Sequence, residues 1–170
     1  MNVQATTLPK ALSSHSQEFS QAAPAEASYL RLSLNQTHQI LLPANCLSEI
    51  TCLTLPQIVP IPDMSPQVMG VCEWRGEVLW LIDLAAQLGC LPLYRSGYRQ
   101  SEQNMLVIHH QGMHLGLVVY WAHQIQSYSE KRMREDTAET PLVREGYLVK
   151  NDYVPLPVLD CGAVINSFGQ

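Results

Sequence analysis

Basic residues are scarce in this chain: 10 Lys and Arg stand against 15 Asp and Glu, a formal net charge of -5 over 170 residues. None of the cations form a run. Neutralising a phosphate backbone needs a clustered Lys/Arg surface, so nucleic acid is not an expected partner. Long apolar stretches are missing too. None approaches the roughly 20 residues that cross a bilayer as a helix, so no membrane insertion is expected. The N-terminus has no basic-then-apolar layout of a signal peptide, and a cytoplasmic location is expected. The five cysteines (Cys46, Cys52, Cys72, Cys90 and Cys161) are odd in number and contain no Cys-x-x-Cys pair. That argues against a disulfide framework and against a thiolate zinc site, and predicts that they behave as small buried hydrophobes. There is no Gly-x-Ser-x-Gly elbow, no Walker-type loop and no Gly-x-Gly-x-x-Gly, and no cysteine stands where its thiolate would be favoured. Neither enzyme activity nor a cofactor is expected.

What is present is a strand-rich pattern. Residues 1–27 carry few large apolar side chains and cannot offset the entropy of ordering, so they read as a flexible N-terminal tail. From Tyr29 the period changes: Leu30, Leu32 and Leu34 alternate with Arg31 and Ser33, and Asn35 to Thr37 turns the chain into a return strand over Ile40 to Leu42. This predicts a hairpin. Pro56, Pro60, Pro62 and Pro66 exclude a helix or central strand between them and leave loop or edge structure. A second hairpin is predicted over Met105 to Tyr120, turning at Gln111-Gly112. The polar excursion Ser129 to Pro141 reads as a solvated loop. A weak internal repeat aligns Leu81-Ile-Asp-Leu-Ala-Ala-Gln-Leu-Gly89 with Val158-Leu-Asp-Cys-Gly-Ala-Val-Ile-Asn166. Each copy follows a hairpin, which suggests two small β-units.

The stretch from Gly70 to Gly89 is the most informative. Gly76 permits the backbone angle of a sharp corner, holding Trp74 and Arg75 at its tip. Glu77 to Ile82 form an almost unbroken apolar run suited to a strand buried on both faces, so Trp80 is assigned to the core. Asp83 is placed to cap a short helix that Gly89 ends. Trp74, beside the corner, either caps the unit or anchors an interface. His109, His110 and His114 have a zinc-like spacing only on a helix. Here they straddle a hairpin turn, and no metal is expected. Glu49 and Arg75 are charges flanked by apolar neighbours, and each needs a partner or open solvent.

The order Gly-x-x-x-Trp-Arg-Gly-x-Val, then Ile-Asp-Leu, resembles the core signature of CheW-like adaptors, which couple a histidine kinase to chemotaxis or phototaxis receptors. Leu47-Ser-Glu-Ile50, Leu115-Gly-Leu-Val-Val119 and Val158-Leu-Asp160 are similar to further segments of that family. The likeness spans residues 28–168. It departs at Trp74 and Glu73, where relatives usually carry Leu and Asn, and at Tyr120-Trp121, where they commonly have Asp. The resemblance implies an all-β fold of two small SH3-like five-stranded barrels around a shared apolar seam, with short helices after Asp83 and Asp160. It also implies a Glu49–Arg75 pair beside a partner-binding surface made of Leu47, Glu49, Ile50, Gly70, Val71, Trp74, Arg75 and Gly76. The implied partners are the regulatory domain of a CheA-type histidine kinase and the cytoplasmic tip of methyl-accepting receptors, at arrays on the membrane periphery. Trp at the corner is similar to adaptors of cyanobacterial phototaxis and pilus motility. A scaffold or competitor in type IV pilus motility is the alternative role.

Overall fold

Alternation along the strands explains how one chain fills three cores. The computed structural model describes residues 26–95, 101–129, 133–134, 142–148 and 155–168. The tail expected over residues 1–27 lies outside these, save its last two residues, which open the first strand. Most of the Ser129–Pro141 excursion also lies outside them.

The elements in chain order are β1 (Glu26–Ser33), β2 (Gln39–Pro43), β3 (Leu47–Thr54), β4 (Val68–Trp74), β5 (Glu77–Asp83), α1 (Leu84–Gln87), β6 (Glu102–His110), β7 (Met113–Val119), β8 (Trp121–Ser129), β9 (Met133–Arg134), β10 (Val143–Leu148), β11 (Pro155–Leu159) and α2 (Cys161–Asn166). They form a six-stranded sheet, β8-β1-β2-β11-β10-β9, and a five-stranded sheet, β3-β6-β7-β5-β4. Among the described residues the chain is all-β with two short α-helices, as expected. The count of five strands holds for one sheet, and the two-residue β9 makes the other six.

The two halves of the repeat are interleaved. Hairpin β1–β2 accepts β11 in parallel, while hairpin β6–β7 accepts β5 in parallel. Each hairpin thus takes the strand that precedes the helix in the other copy. Sequential halves do not make separate units.

Leu30, Leu32, Ile40 and Leu42 from one sheet meet Ile82, Leu106, Ile108 and Leu117 from the other, with Val164 and Ile165 of α2, in a shared seam. Their strand neighbours face the opposite way: Leu81, Met105, Val107 and Val118 fill the interior of the five-stranded unit, and Tyr29, Leu41 and Val158 that of the six-stranded one. Strands that serve two cores must be apolar on both faces, which is why these runs lose their polar alternation.

β5 follows this rule only at its C-terminal end. Leu81 and Ile82 are fully buried, whereas Trp80 is 41% and Val78 73% exposed. The assignment of Trp80 to the core is therefore corrected. Leu79 and Leu81 face the interior, but the opposite face is covered by the seam only from Ile82 onward, so Trp80 emerges into solvent.

Asp83 ends β5 and caps α1 as the sequence predicts. Its Oδ1 accepts from the Ala86 amide at 3.1 Å, while Oδ2 accepts from the Leu93 amide at 2.7 Å and anchors the following turn. Asp160 caps α2 in the same way through the Ala163 amide at 3.0 Å. Burial lifts the Asp83 carboxyl above its ordinary value of 3.8, and the amides of Leu93, Ala86 and Ala85 oppose the rise. The folded state therefore holds this proton more tightly than the unfolded chain. The resulting stabilisation is full below the unfolded pKa and is lost as pH rises through the lifted folded value. In urea titrations from about pH 3 to pH 7, wild type should lose stability relative to Asp83→Asn as pH rises. A gap that widens in favour of wild type over that range contradicts this assignment.

Cys46 and Cys161 overturn the expectation of five unpaired cysteines. They form a disulfide between the turn Ala44–Cys46 and the first residue of α2, spanning 115 residues of chain. Cys52 is free and exposed, Cys72 free and buried, and Cys90 free and half-buried. The pairing leaves no local signal because the fold alone brings two distant cysteines together.

Candidate partner-binding site

A two-residue loop, Arg75-Gly76, joins β4 to β5, and both residues take positive φ, 53° and 83°. That pair of angles belongs to the tight turn whose twist suits an antiparallel hairpin. Glycine adopts it freely, whereas Arg in the left-handed region costs about 1 kcal/mol or more. Glu73 Oε1 accepts from the Gly76 amide at 2.6 Å and closes the loop.

Across from this corner, β3 carries a register shift between Leu47 and Glu49 where it pairs with β6. Such irregularities re-aim side chains. Glu49 Oε2 accepts from Trp74 Nε1 at 3.0 Å and from an Arg75 terminal nitrogen at 2.8 Å. The Arg75 guanidinium carbon also lies 4.8 Å from the centre of the Trp74 ring. Because β3 and β4 are the two edges of the five-stranded sheet, this carboxylate links those edges by side chains.

The Arg75 side chain is 67% and that of Glu49 34% exposed, so solvent screens the pair. It contributes at most about 1 kcal/mol to stability, and the Arg–Trp contact adds about 0.5–1 kcal/mol. The arrangement fixes a direction more than it strengthens the fold. It offers a guanidinium, still open on one side, from a rigid aromatic seat.

A model of the CheW-like domain matches residues 28–168. The chain belongs to the CheW-like family. Among solved structures it is similar to the scaffolding protein TtCheW from Thermoanaerobacter tengcongensis, with a TM-score of 0.67 and 16% identity over 81% of this chain and 90% of that one. At that identity the likeness speaks for the fold. Curated protein sequences give no match.

Within this CheW-like domain the eight residues singled out from sequence divide into two groups. Glu49, Trp74, Arg75 and Gly76 meet at the corner. Ile50 is exposed next to Glu49 on β3, and Leu47 is half-buried against the seam. Val71 lies on β4, bridged to Val59 through paired backbone hydrogen bonds of 2.8 and 2.9 Å. Gly70 is buried beneath that same segment, where it has no surface to offer.

Three residues that sequence reasoning did not attach to the corner extend it. The His114 ring sits 5.0 Å from that of Trp74, and His109 lies 6.3 Å from His114. Ser48 Oγ hydrogen-bonds His109 Nδ1 at 2.9 Å. His109 and His114 are direct cross-strand partners, while His110 points the other way, against Gly162 of α2. The strand period separates the histidines that a helical spacing would have gathered. Among the described residues, no group of three or more His, Cys, Asp or Glu is placed to hold a metal ion. Nor is any helix among them long and apolar enough to cross a membrane.

Proposed function

We propose that this protein is a signalling adaptor that couples methyl-accepting chemotaxis or phototaxis receptors to a CheA-type histidine kinase, working by recognition without bond chemistry. The observation that carries this reading is the Arg75 guanidinium, held by Glu49 and Trp74 on a positive-φ turn and left two-thirds exposed within a CheW-like domain. Arg seated on an aromatic ring is a common anchor of protein interfaces. The corner docks the kinase regulatory domain, with exposed Ile50 and half-buried Val71 and Leu47 as its apolar surround.

A groove of about 380 Å³ runs between the turn Ala44–Cys46, the end of β6 and the start of α2, lined by Tyr29, Asn45, Cys46, His110, Asp160 and Cys161. It receives the receptor hairpin tip at the membrane periphery. Holding both partners lets a receptor's two states change kinase activity through unequal contacts.

Reconstitution tests this directly. Kinase, receptor hairpin and this protein together should give kinase activity that responds to the receptor, and omission of the protein should abolish the response. If the protein binds kinase but only lowers its activity, the competitor role in pilus motility replaces the adaptor role. Absence of binding to the regulatory domain removes both.

A further inference from the structure

We infer that Cys46 and Cys161 form a reversible redox staple across the mouth of the inter-sheet groove, and that its state sets how tightly the groove binds its occupant. The part about affinity rests on the adaptor reading; the chemistry of the pair does not.

Three observations place the staple there. Both cysteines line the groove, one on each wall, and their Cα atoms are 6.7 Å apart, near the outer end of the roughly 4.4–6.8 Å that a disulfide bridges. The bridge joins directly two pieces that the sheet ties only through the β2–β11 pairing: the turn Ala44–Cys46 between β2 and β3, and the N-terminus of α2. The reduced state also has a place to go. Cys46 Sγ lies 3.1 Å from the Pro43 carbonyl oxygen, where a thiol can donate a hydrogen bond, so the freed side chain keeps a partner.

Cys46 is half-buried and Cys161 only 6% exposed, so Cys46 is the more accessible of the two to a small thiol and Cys161 is the sulfur released. Reduction begins when a glutathione thiolate attacks Cys46 Sγ. The S–S bond breaks, its electron pair stays on Cys161 Sγ, and that sulfur takes a proton. A second glutathione thiolate then attacks the mixed disulfide, releasing Cys46 as a thiol after protonation and leaving glutathione disulfide. Oxidation is the reverse, with glutathione disulfide accepting the two electrons.

The other wall is already fixed. The His110 ring packs so closely on Gly162 that a Cβ there would come within 3.0 Å of it. α2 is therefore packed on β6, and the staple adds a direct covalent tie from α2 to the turn Ala44–Cys46, whose flanking residues Pro43 and Leu47 are paired in the sheets. A closed staple preorganises both walls and removes part of the ordering cost of binding.

The test equilibrates full-length protein in glutathione buffers from reducing to oxidising, traps thiols by alkylation, and maps them by mass spectrometry. The expected result is an interconvertible Cys46–Cys161 pair with Cys52, Cys72 and Cys90 remaining thiols. Amide exchange over Ala44–Cys46 should slow in the oxidised form. A synthetic receptor-hairpin peptide should bind the oxidised protein about tenfold more tightly. Cys46→Ser and Cys161→Ser should lose all redox dependence. The staple is overturned if the pair stays in one state across the buffers, or if exchange over the turn is the same in both states. If exchange responds but the peptide binds neither form, the receptor reading fails and the staple stands.

Discussion

Gly70→Ala should destabilise the protein by about 3 kcal/mol or more, the largest single effect of any small substitution on this surface-adjacent strand. Gly70 has φ of 136°, and a Cβ there would run into the Val59 carbonyl and come within 2.9 Å of Pro60 Cα. Those atoms are backbone and cannot rotate away. The segment they belong to is held on β4 by two hydrogen bonds, Val59 amide to Val71 oxygen at 2.8 Å and Val71 amide to Val59 oxygen at 2.9 Å. Losing both costs about 0.5–1.5 kcal/mol each, and the backbone strain adds about 1–3 kcal/mol. Urea unfolding should show the midpoint falling with little change in slope. Gly76→Ala is the control. It also sits at positive φ, 83°, but an added Cβ there meets nothing within 4 Å, so only the local strain of about 1 kcal/mol applies. Equal effects at the two positions would show that the overlying Val59–Pro60 backbone does not matter.

Arg75→Glu should weaken binding to a CheA-type regulatory domain by about 30-fold or more while leaving stability within about 1–2 kcal/mol of wild type. The substitution puts a second carboxylate where Glu49 now accepts a 2.8 Å bond, and removes the cation from the Trp74 ring. Because the pair is exposed, repulsion is screened in the free protein and the loss is felt chiefly when a partner displaces water. Arg75→Asn separates backbone from charge. Asn suits the left-handed turn better than Arg, so it should match or exceed wild-type stability and still lose about tenfold in affinity. If Arg75→Asn binds as wild type does, the guanidinium is not the anchor.

Much of this site could be read from local pattern because its chemistry is local. Trp74, Arg75 and Gly76 are consecutive, the turn geometry follows from Gly76, and Asp83 and Asp160 declare their helices by position. Glu49 was placed beside Arg75 through family likeness, since 26 residues separate them and no periodicity links β3 to β4. The histidine flank was missed for a related reason. His114 becomes a neighbour of Trp74, with His109 behind it, only once β7 is laid beside β5 and β4, and spacing within one hairpin does not reveal the adjoining ring. Trp80 misled because a strand with an apolar run reads as buried throughout, whereas cover over β5 stops partway along it. The Cys46–Cys161 pair was invisible for want of any local signature. An odd cysteine count weighs against a complete framework but says nothing against one bridge.

The exchange of strands between the two copies of the repeat has a mechanical consequence. Severing the polypeptide in the connection between α1 and β6 would leave an N-terminal fragment whose hairpin lacks β11 and a C-terminal fragment whose hairpin lacks β5. Neither piece could complete a sheet alone, so the pair should fold only on being mixed. For the intact chain, the two lobes cannot drift apart like beads on a string. The chain crosses between the sheets from β2 to β3 and again from β7 to β8, and the shared seam fills the space between them, which makes this small protein a stiff link instead of a hinge.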